Sequence, residues 1–224
     1  EPMAIVAFMA GIRSLVASDS QHIGGADFIA WTIIGLLSFF LFRENMMRSI
    51  GAIDSSKALF AYRQVQPIDP VLVRCYLEGL LKTFVALLFI LFCTMLDVSL
   101  IPADSLGTLF IWVSIWLLGL GAGLVLSALA TLVPEVGKLI RIVSMPLLLI
   151  SGVIFPMQLV PHEFQSLLLF NPIVHGVESL RMKFFMDYRT VNGISLVYVW
   201  LWILIQICLG LMLHIRYAMK LKAQ

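Results

Sequence analysis

Charge is scarce in this chain: 12% of its 224 residues are Asp, Glu, Lys or Arg, 61% are hydrophobic, and the mean hydropathy is +1.00. That balance excludes an ordinary soluble domain, and a net charge of +2 gives no basis for nucleic-acid binding. Cysteine is as sparse. Cys75, Cys93 and Cys208 have neither CxxC nor metal-ligand spacing, so they read as small packing residues. A phosphate-binding loop is missing too, because the one Gly-Lys pair, Gly137-Lys138, is followed by Leu139 where Ser or Thr is needed. With no metal-spaced cluster and no Ser/His/Asp arrangement, no catalytic residue, metal or cofactor of the chain's own is expected. The apolar blocks that read as spans two, four and six lack ionisable residues apart from His214 at an end. A proton- or ion-coupled carrier needs carboxylate, His or Lys relays there.

What is present is a series of apolar blocks. A bilayer crossing needs about 20 apolar residues, and the blocks predict an all-α integral membrane protein of six spans in a single domain, 1–224. They lie near Met3–Ala17, Phe28–Phe42, Leu80–Leu100, Leu106–Val133, Leu139–Phe155 and Ser195–Ile215, the first incomplete. Pro146 is expected to kink the fifth. Gly119, Gly121 and Gly123 sit in an apolar run with no strand before them, which speaks against a nucleotide loop, and Gly119 and Gly123 read as close helix contacts. Lys and Arg divide eleven against four between the two faces, which puts the Arg43–Glu78 loop and both termini in the cytoplasm. All five tryptophans then fall in outer halves of spans. Two readings stay open: an interfacial belt, or, for Trp31 with Phe39 and Phe40, a lining along which sugar faces slide.

The long polar stretch 43–79 interrupts the apolar blocks and is expected to present itself to a cytoplasmic partner. Met46, Met47, Ile50, Ile53 and Phe60 recur near helical spacing while Arg48, Asp54 and Lys57 occupy other faces, predicting an amphipathic helix weakened by Gly51. Pro67 and Pro70 then force a turn between Gln66 and Pro70. Arg48-Ser49-Ile50-Gly51-Ala52, followed by Leu59-Phe60-Ala61-Tyr62-Arg63-Gln64-Val65-Gln66-Pro67-Ile68-Asp69 and Arg74, resembles the cytoplasmic coupling segment of permeases in polysaccharide-exporting ABC transporters. Asn171–Arg181, NPIVHGVESLR, is a second match far downstream.

That resemblance implies a homodimer of six-span subunits bound to two ATPase subunits that carry the ATP and Mg. It also implies an N-terminal amphipathic helix ahead of Glu1. Arg48, Ile50, Ile53, Asp54, Phe60, Tyr62 and Arg63 become the candidates for ATPase coupling. The expected cargo is capsular polysaccharide, anionic and carried on a lipid anchor, crossing a Gram-negative inner membrane toward periplasmic or outer-membrane export partners. O-antigen and teichoic-acid exporters are the rivals within the family. A passive channel, an ion-coupled carrier and a membrane anchor or assembly factor are the rivals from other classes.

The external segment 156–192 is the other informative region. Pro161 and Pro172 suit the starts of two short helices, with Asn171 as N-cap of the second. Leu159, Phe164, Leu167, Leu168 and Phe170 are too apolar for a free loop and predict a hairpin that dips into the outer leaflet or covers an exit. His175, Glu178, Arg181, Lys183, Asp187 and Arg189 follow, either as a solvated helix face or as a gate whose cations meet the acidic groups of an emerging glycan.

Overall fold

The computed structural model describes residues 22–23, 26–95 and 100–223, and almost all of their regular structure is helical. The expected span Met3–Ala17, Arg13 and Asp97 lie outside the described residues. A two-residue antiparallel pair, β1 (His22–Ile23) and β2 (Ala26–Asp27), leads into α1 (Phe28–Ile50). Then come α2 (Ala52–Ser55), a 3-10 turn at Lys57–Ala61, α3 (Ile68–Met95), α4 (Ser105–Leu132), α5 (Pro134–Val143) and α6 (Pro146–Ile150). A second 3-10 turn at Met157–Leu159 precedes α7 (His162–Leu168), α8 (Pro172–Phe184), α9 (Leu196–Arg216) and α10 (Ala218–Ala223). Among the described residues α3, α4 and α9 are long and apolar enough to cross a bilayer. The chain is an all-α membrane protein.

α4 is the centre, with α1 along one side, α9 along another, and α8 laid across all three. Its glycines explain how it can be. A Cβ at Gly119 would stand 3.0 Å from the Phe42 carbonyl oxygen, and one at Gly123 would stand 2.6 Å from Ser49 Oγ, so this face meets α1 backbone to backbone. On the other side a Cβ at Gly121 would stand 3.0 Å from Gln206 Cβ of α9, and one at Gly210 only 2.6 Å from Leu124 Cβ. Without a hydrophobic effect between helices in lipid, such close approach supplies the dispersion contact that holds them. α3 is tied in by aromatic donors: the Trp116 indole N–H donates to the Cys75 carbonyl at 3.0 Å, and that of Trp112 to Thr83 Oγ1 at 2.9 Å.

Three local expectations change. Leu139–Phe155 is not one kinked helix but α5, a turn at 144–145, α6 and a non-helical stretch. Pro146 supplies no N–H and starts a helix instead of continuing one, and Gly152 at φ +64 turns the chain back toward the core. The amphipathic helix expected over Arg48–Phe60 is likewise interrupted, because α1 runs on to Ile50 and Gly51 then separates it from a single turn and a 3-10 segment. Finally, α3 starts at Ile68 rather than near Leu80, directly after the turn expected between Gln66 and Pro70, in which the Asp69 N–H donates to the Gln66 carbonyl at 3.1 Å. Pro70 lies in the first turn of the helix, where its missing N–H costs nothing. Asp69 reaches back to accept the Gln66 N–H at 2.7 Å. The start of α8 follows the sequence signal, Asn171 accepting from Ile173 N at 3.1 Å with Pro172 next, while α4 is capped by Asp104, which accepts from Gly107 N at 2.9 Å.

Gly123→Val should lower the thermal midpoint in detergent, since overpacking of this kind costs about 1–3 kcal/mol. Gly51→Ala, where a Cβ would meet nothing within 4 Å, should leave it unchanged or raise it. Equal behaviour of the two variants would remove the close-packing account of α4.

Candidate functional site

Two ends of the bundle carry the chemistry. At the hairpin end, α8 places Glu178 and Arg181 three residues apart on one face, and both side chains are completely buried. Arg181 Nη1 donates to Glu178 Oε1 at 2.7 Å and to the Gly152 carbonyl at 2.8 Å, while Nη2 donates to the Val153 carbonyl at 3.1 Å. The guanidinium lies 3.5 Å over the Trp31 ring, a cation–π contact strengthened by desolvation. Glu178 Oε2 accepts from Tyr188 Oη at 2.9 Å and from Thr190 Oγ1. Gly35 completes the nest, because a Cβ there would collide with Arg181 Nη2.

These residues are therefore neither a solvated helix face nor free cations awaiting a glycan. They form a closed network in which each charge has its partner. Tyr188, 5% exposed, is pushed up to about 12 by burial and by the Glu178 charge, so its phenol stays a donor across all ordinary pH. His175 is also internal: its Nδ1 accepts the Ser195 N–H at 3.0 Å, which leaves Nε2 to donate to the Leu169 carbonyl at 2.7 Å. Of the remaining hairpin candidates Asn171 caps α8, and Phe164 is exposed on α7. Lys183 is half exposed and pairs with Asp104 at 2.9 Å. The Gly107 N–H and the Lys183 ammonium hold the Asp104 carboxyl below the usual carboxylate range.

Trp31, Phe39 and Phe40 are all buried within the subunit, Trp31 beneath Arg181 and the two phenylalanines in the main core. Their ring faces are occupied by protein. Sequence reasoning had no signal for the Trp31–Arg181 stack, which joins segments far apart in the chain, or for the parts of Tyr188 and Thr190, whose return onto Glu178 depends on the path of the loop after α8.

At the opposite end, Ile50 and Ile53 are buried, and Ile53 packs with Val71, Cys75, Leu124, Ala128 and Leu221. Phe60 is half-buried against the same cluster. Through Leu221, α10 is part of the support, a role no pattern in its sequence announced. Arg48 lies 3.4 Å from Glu78 and 3.8 Å from Glu44, bracing α1 against α3. The face left outward carries Asp54 and Lys57, paired at 3.4 Å, and then Leu59, Tyr62 and Arg63. Leu59 is 50% and Tyr62 69% exposed, although both are large and apolar enough to be buried.

The model of the family described as ABC-2 type transporter matches residues 28–185, a stretch that takes in both ends. The chain belongs to the ABC-2 type transporter family. Among its ABC-2 relatives, the polysialic acid transport protein KpsM of Escherichia coli is 33% identical over 214 residues, 96% of this chain and 82% of that protein. The capsule polysaccharide export inner-membrane protein BexB of Haemophilus influenzae is 28% identical over 187 residues, 84% of this chain and 70% of BexB. CtrC of Neisseria meningitidis serogroup A, which has the same description as BexB, is 26% identical over 204 residues, covering 91% and 77%. Within the ABC-2 match, residues 28–185 include Trp31, Gly35, Glu178 and Arg181.

Removing one partner of a buried ion pair costs about 3–5 kcal/mol, so Arg181→Met should lower the thermal midpoint strongly. Gly35→Ala should also be destabilising in the wild type but nearly silent in the Arg181→Met background, where no guanidinium is left to displace. Additive effects would separate Gly35 from the network. Because the folded state holds Tyr188 up to about 12 while an unfolded phenol titrates near 10, its contribution is present below pH ~10 and is lost as pH rises toward 12. Tyr188→Phe should flatten stability across that window.

Proposed function

We propose that the chain is the transmembrane subunit of an ATP-driven exporter that moves capsular polysaccharide, on a lipid anchor, across the bacterial inner membrane. The observation that carries this reading is the family match over residues 28–185, together with relatives whose names state capsule or polysialic acid export. The chemistry of the chain agrees. It has no nucleotide loop, and its central helix α4 carries no ionisable side chain, so the energy comes from a separate ATPase subunit holding ATP and Mg. The six-span topology, with both termini and the segment 43–79 in the cytoplasm, belongs to the same proposal.

Leu59, Tyr62 and Arg63 are the residues this arrangement offers to the ATPase. Ile50, Ile53 and Phe60 act one step behind them, transmitting displacement into α3 and α4 through the cluster that contains Val71 and Leu124. Asp54 belongs to the outward face and Arg48 to its brace. A second copy of the chain is the proposed cover for the broken fifth span. Leu139, Ile142, Leu149 and Phe155 are exposed there beside non-helical backbone, and irregular backbone at bilayer depth is tolerated only where protein or a water-filled cavity adjoins it. Trp31, Phe39 and Phe40 reach the glycan only if opening of the subunit uncovers them. The hairpin 156–192 is the exit-side element, held in place by the Arg181 network, with exposed Phe164 and Lys183 at its surface.

The ion-coupled carrier is the reading from another class, and solute exchange by the purified chain without any ATPase would favour it. The decisive experiment removes the chain from its cell: surface polysaccharide should disappear, accumulate inside, and return on complementation together with ATP-dependent export in reconstituted vesicles. Persisting surface polysaccharide would end the proposal.

For coupling, Leu59→Asp with Tyr62→Ala should leave the chain inserted and thermally stable while weakening ATPase co-purification. Each apolar side chain buried at a docking groove is worth about 1.5–3 kcal/mol, or roughly ten- to a hundred-fold in affinity. Ile53→Asp should instead reduce the amount of folded chain. A double variant that keeps wild-type ATPase binding would place the docking surface elsewhere.

A further inference from the structure

Two adjoining cavities of about 180 Å³ each run along the seam between α3 and α4 and share Thr83 and Trp112. Lining residues on α3 extend from Tyr76 to Ile90, which at 1.5 Å per residue makes a groove about 21 Å long, enough for the ~15 Å of hydrocarbon in one leaflet. Its walls are apolar, and it opens onto the face where Leu80, Phe84, Leu87 and Leu91 are exposed. Such an apolar face is suited to contact with lipid tails. At the hairpin end the groove finishes at Pro102, Ser105 and Phe184, so the Asp104–Lys183 pair stands at its rim, each side chain nearly half exposed. One turn inside, Thr108 Oγ1 is buried on the groove wall with no hydrogen-bond partner among the described residues.

We propose that this groove is a binding site for one zwitterionic phospholipid with a phosphoethanolamine headgroup. Its acyl chain fills the α3–α4 seam. The Thr108 hydroxyl donates to an ester carbonyl, the Lys183 ammonium meets the phosphate, and the Asp104 carboxylate meets the headgroup ammonium. Charge complementarity selects the occupant: a neighbouring cation and anion at the rim suit a zwitterion, whereas a phosphoglycerol headgroup brings the phosphate but only neutral hydroxyls, and no cation, for Asp104. A protein segment in the same place would leave the half-exposed pair and the unpartnered hydroxyl without a purpose. The site is independent of which cargo the chain exports.

The test uses the full chain with its native partners in nanodiscs containing equal phosphatidylethanolamine and phosphatidylglycerol, with retained lipid read by native mass spectrometry. Wild type should retain phosphatidylethanolamine about fivefold over phosphatidylglycerol, as expected of one exposed ion pair at the upper end of its range. Asp104→Asn keeps the helix cap but removes the charge, and should abolish the preference. Lys183→Met, at an exposed position, should lower retention of both lipids, and Leu87→Trp should exclude the chain. Thr108→Val should lower retention while leaving thermal stability equal or higher, the opposite of what a structural hydroxyl would do. Equal retention of the two lipids by wild type, or an unchanged preference in Asp104→Asn, would overturn the proposal. So would a photo-crosslinker at Leu87 that captures residues 1–21 or a second copy of the chain rather than lipid.

Discussion

A guanidinium taken wholly out of water has to find partners inside the protein, and Arg181 imposes that demand on five residues. Glu178 neutralises it, the Gly152 and Val153 carbonyls accept from its two terminal nitrogens, Trp31 covers one face, and Gly35 leaves the space it occupies, while its Nε–H is buried with no hydrogen-bond partner among the described residues. Glu178 in turn recruits Tyr188 and Thr190. The result fixes α8 to the start of α1, to the stretch after α6 and to the segment leading to α9. A buried ion pair of this kind adds little to stability over a well-packed apolar substitute, because desolvation offsets most of the Coulomb attraction. What it supplies is geometry: an apolar plug could slide, whereas this network closes only in one arrangement. In a hairpin whose other surface is greasy and exposed, at Leu159, Leu167 and Phe170, that distinction decides whether it has a fixed position at all.

The remainder of the bundle depends on α4, and here the requirement is room rather than charge. Gly119 and Gly123 let α1 approach, Gly121 lets α9 approach, and Gly176 lets α8 settle onto Ile115, where a Cβ would stand 3.0 Å from its Cγ1. The same helix therefore touches both ends of the bundle, the Arg181 network through α8 and the Ile53 cluster through Leu124 and Ala128.

Features set by local chemistry were legible in the sequence. The apolar blocks gave α4 and α9 nearly to the residue, the cap at Asn171 and the close contacts at Gly119 and Gly123 followed from local sequence, and the family could be read from two ordered motifs. Features set by tertiary geometry were not. Ile50 and Ile53 have the spacing of an amphipathic helix, but periodicity tells only that a face is buried, not whether a partner or the chain's own core buries it. Glu178 and Arg181 show the opposite failure. Charged residues on an amphipathic helix usually face solvent, and only Trp31, Gly35 and Gly152, contributed from distant segments, turn that face inward. Pro146 was recognised as a disturbance, but whether a proline kinks a helix or ends it depends on neighbours that re-satisfy the freed carbonyl.

The distance between the two ends then constrains how they communicate. α4 has 28 residues, about 42 Å of continuous helix at 1.5 Å per residue, without a proline between Asp104 and Pro134. A helix of that kind bends little, so displacement of Ile53 has two outcomes only: the cluster with Val71, Leu124 and Ala128 breaks, or α4 moves as a rod. Breaking the cluster would open a cavity among fully buried side chains, at about 2–5 kcal/mol for each large residue lost from contact. Moving the rod keeps those contacts, and through Ile115 it carries the motion to Gly176 on the turn of α8 next to Glu178 and Arg181. The less costly route is thus the one that would deliver movement to the hairpin, and under the proposed coupling a packed core that resists local deformation would carry a push from one end to the other.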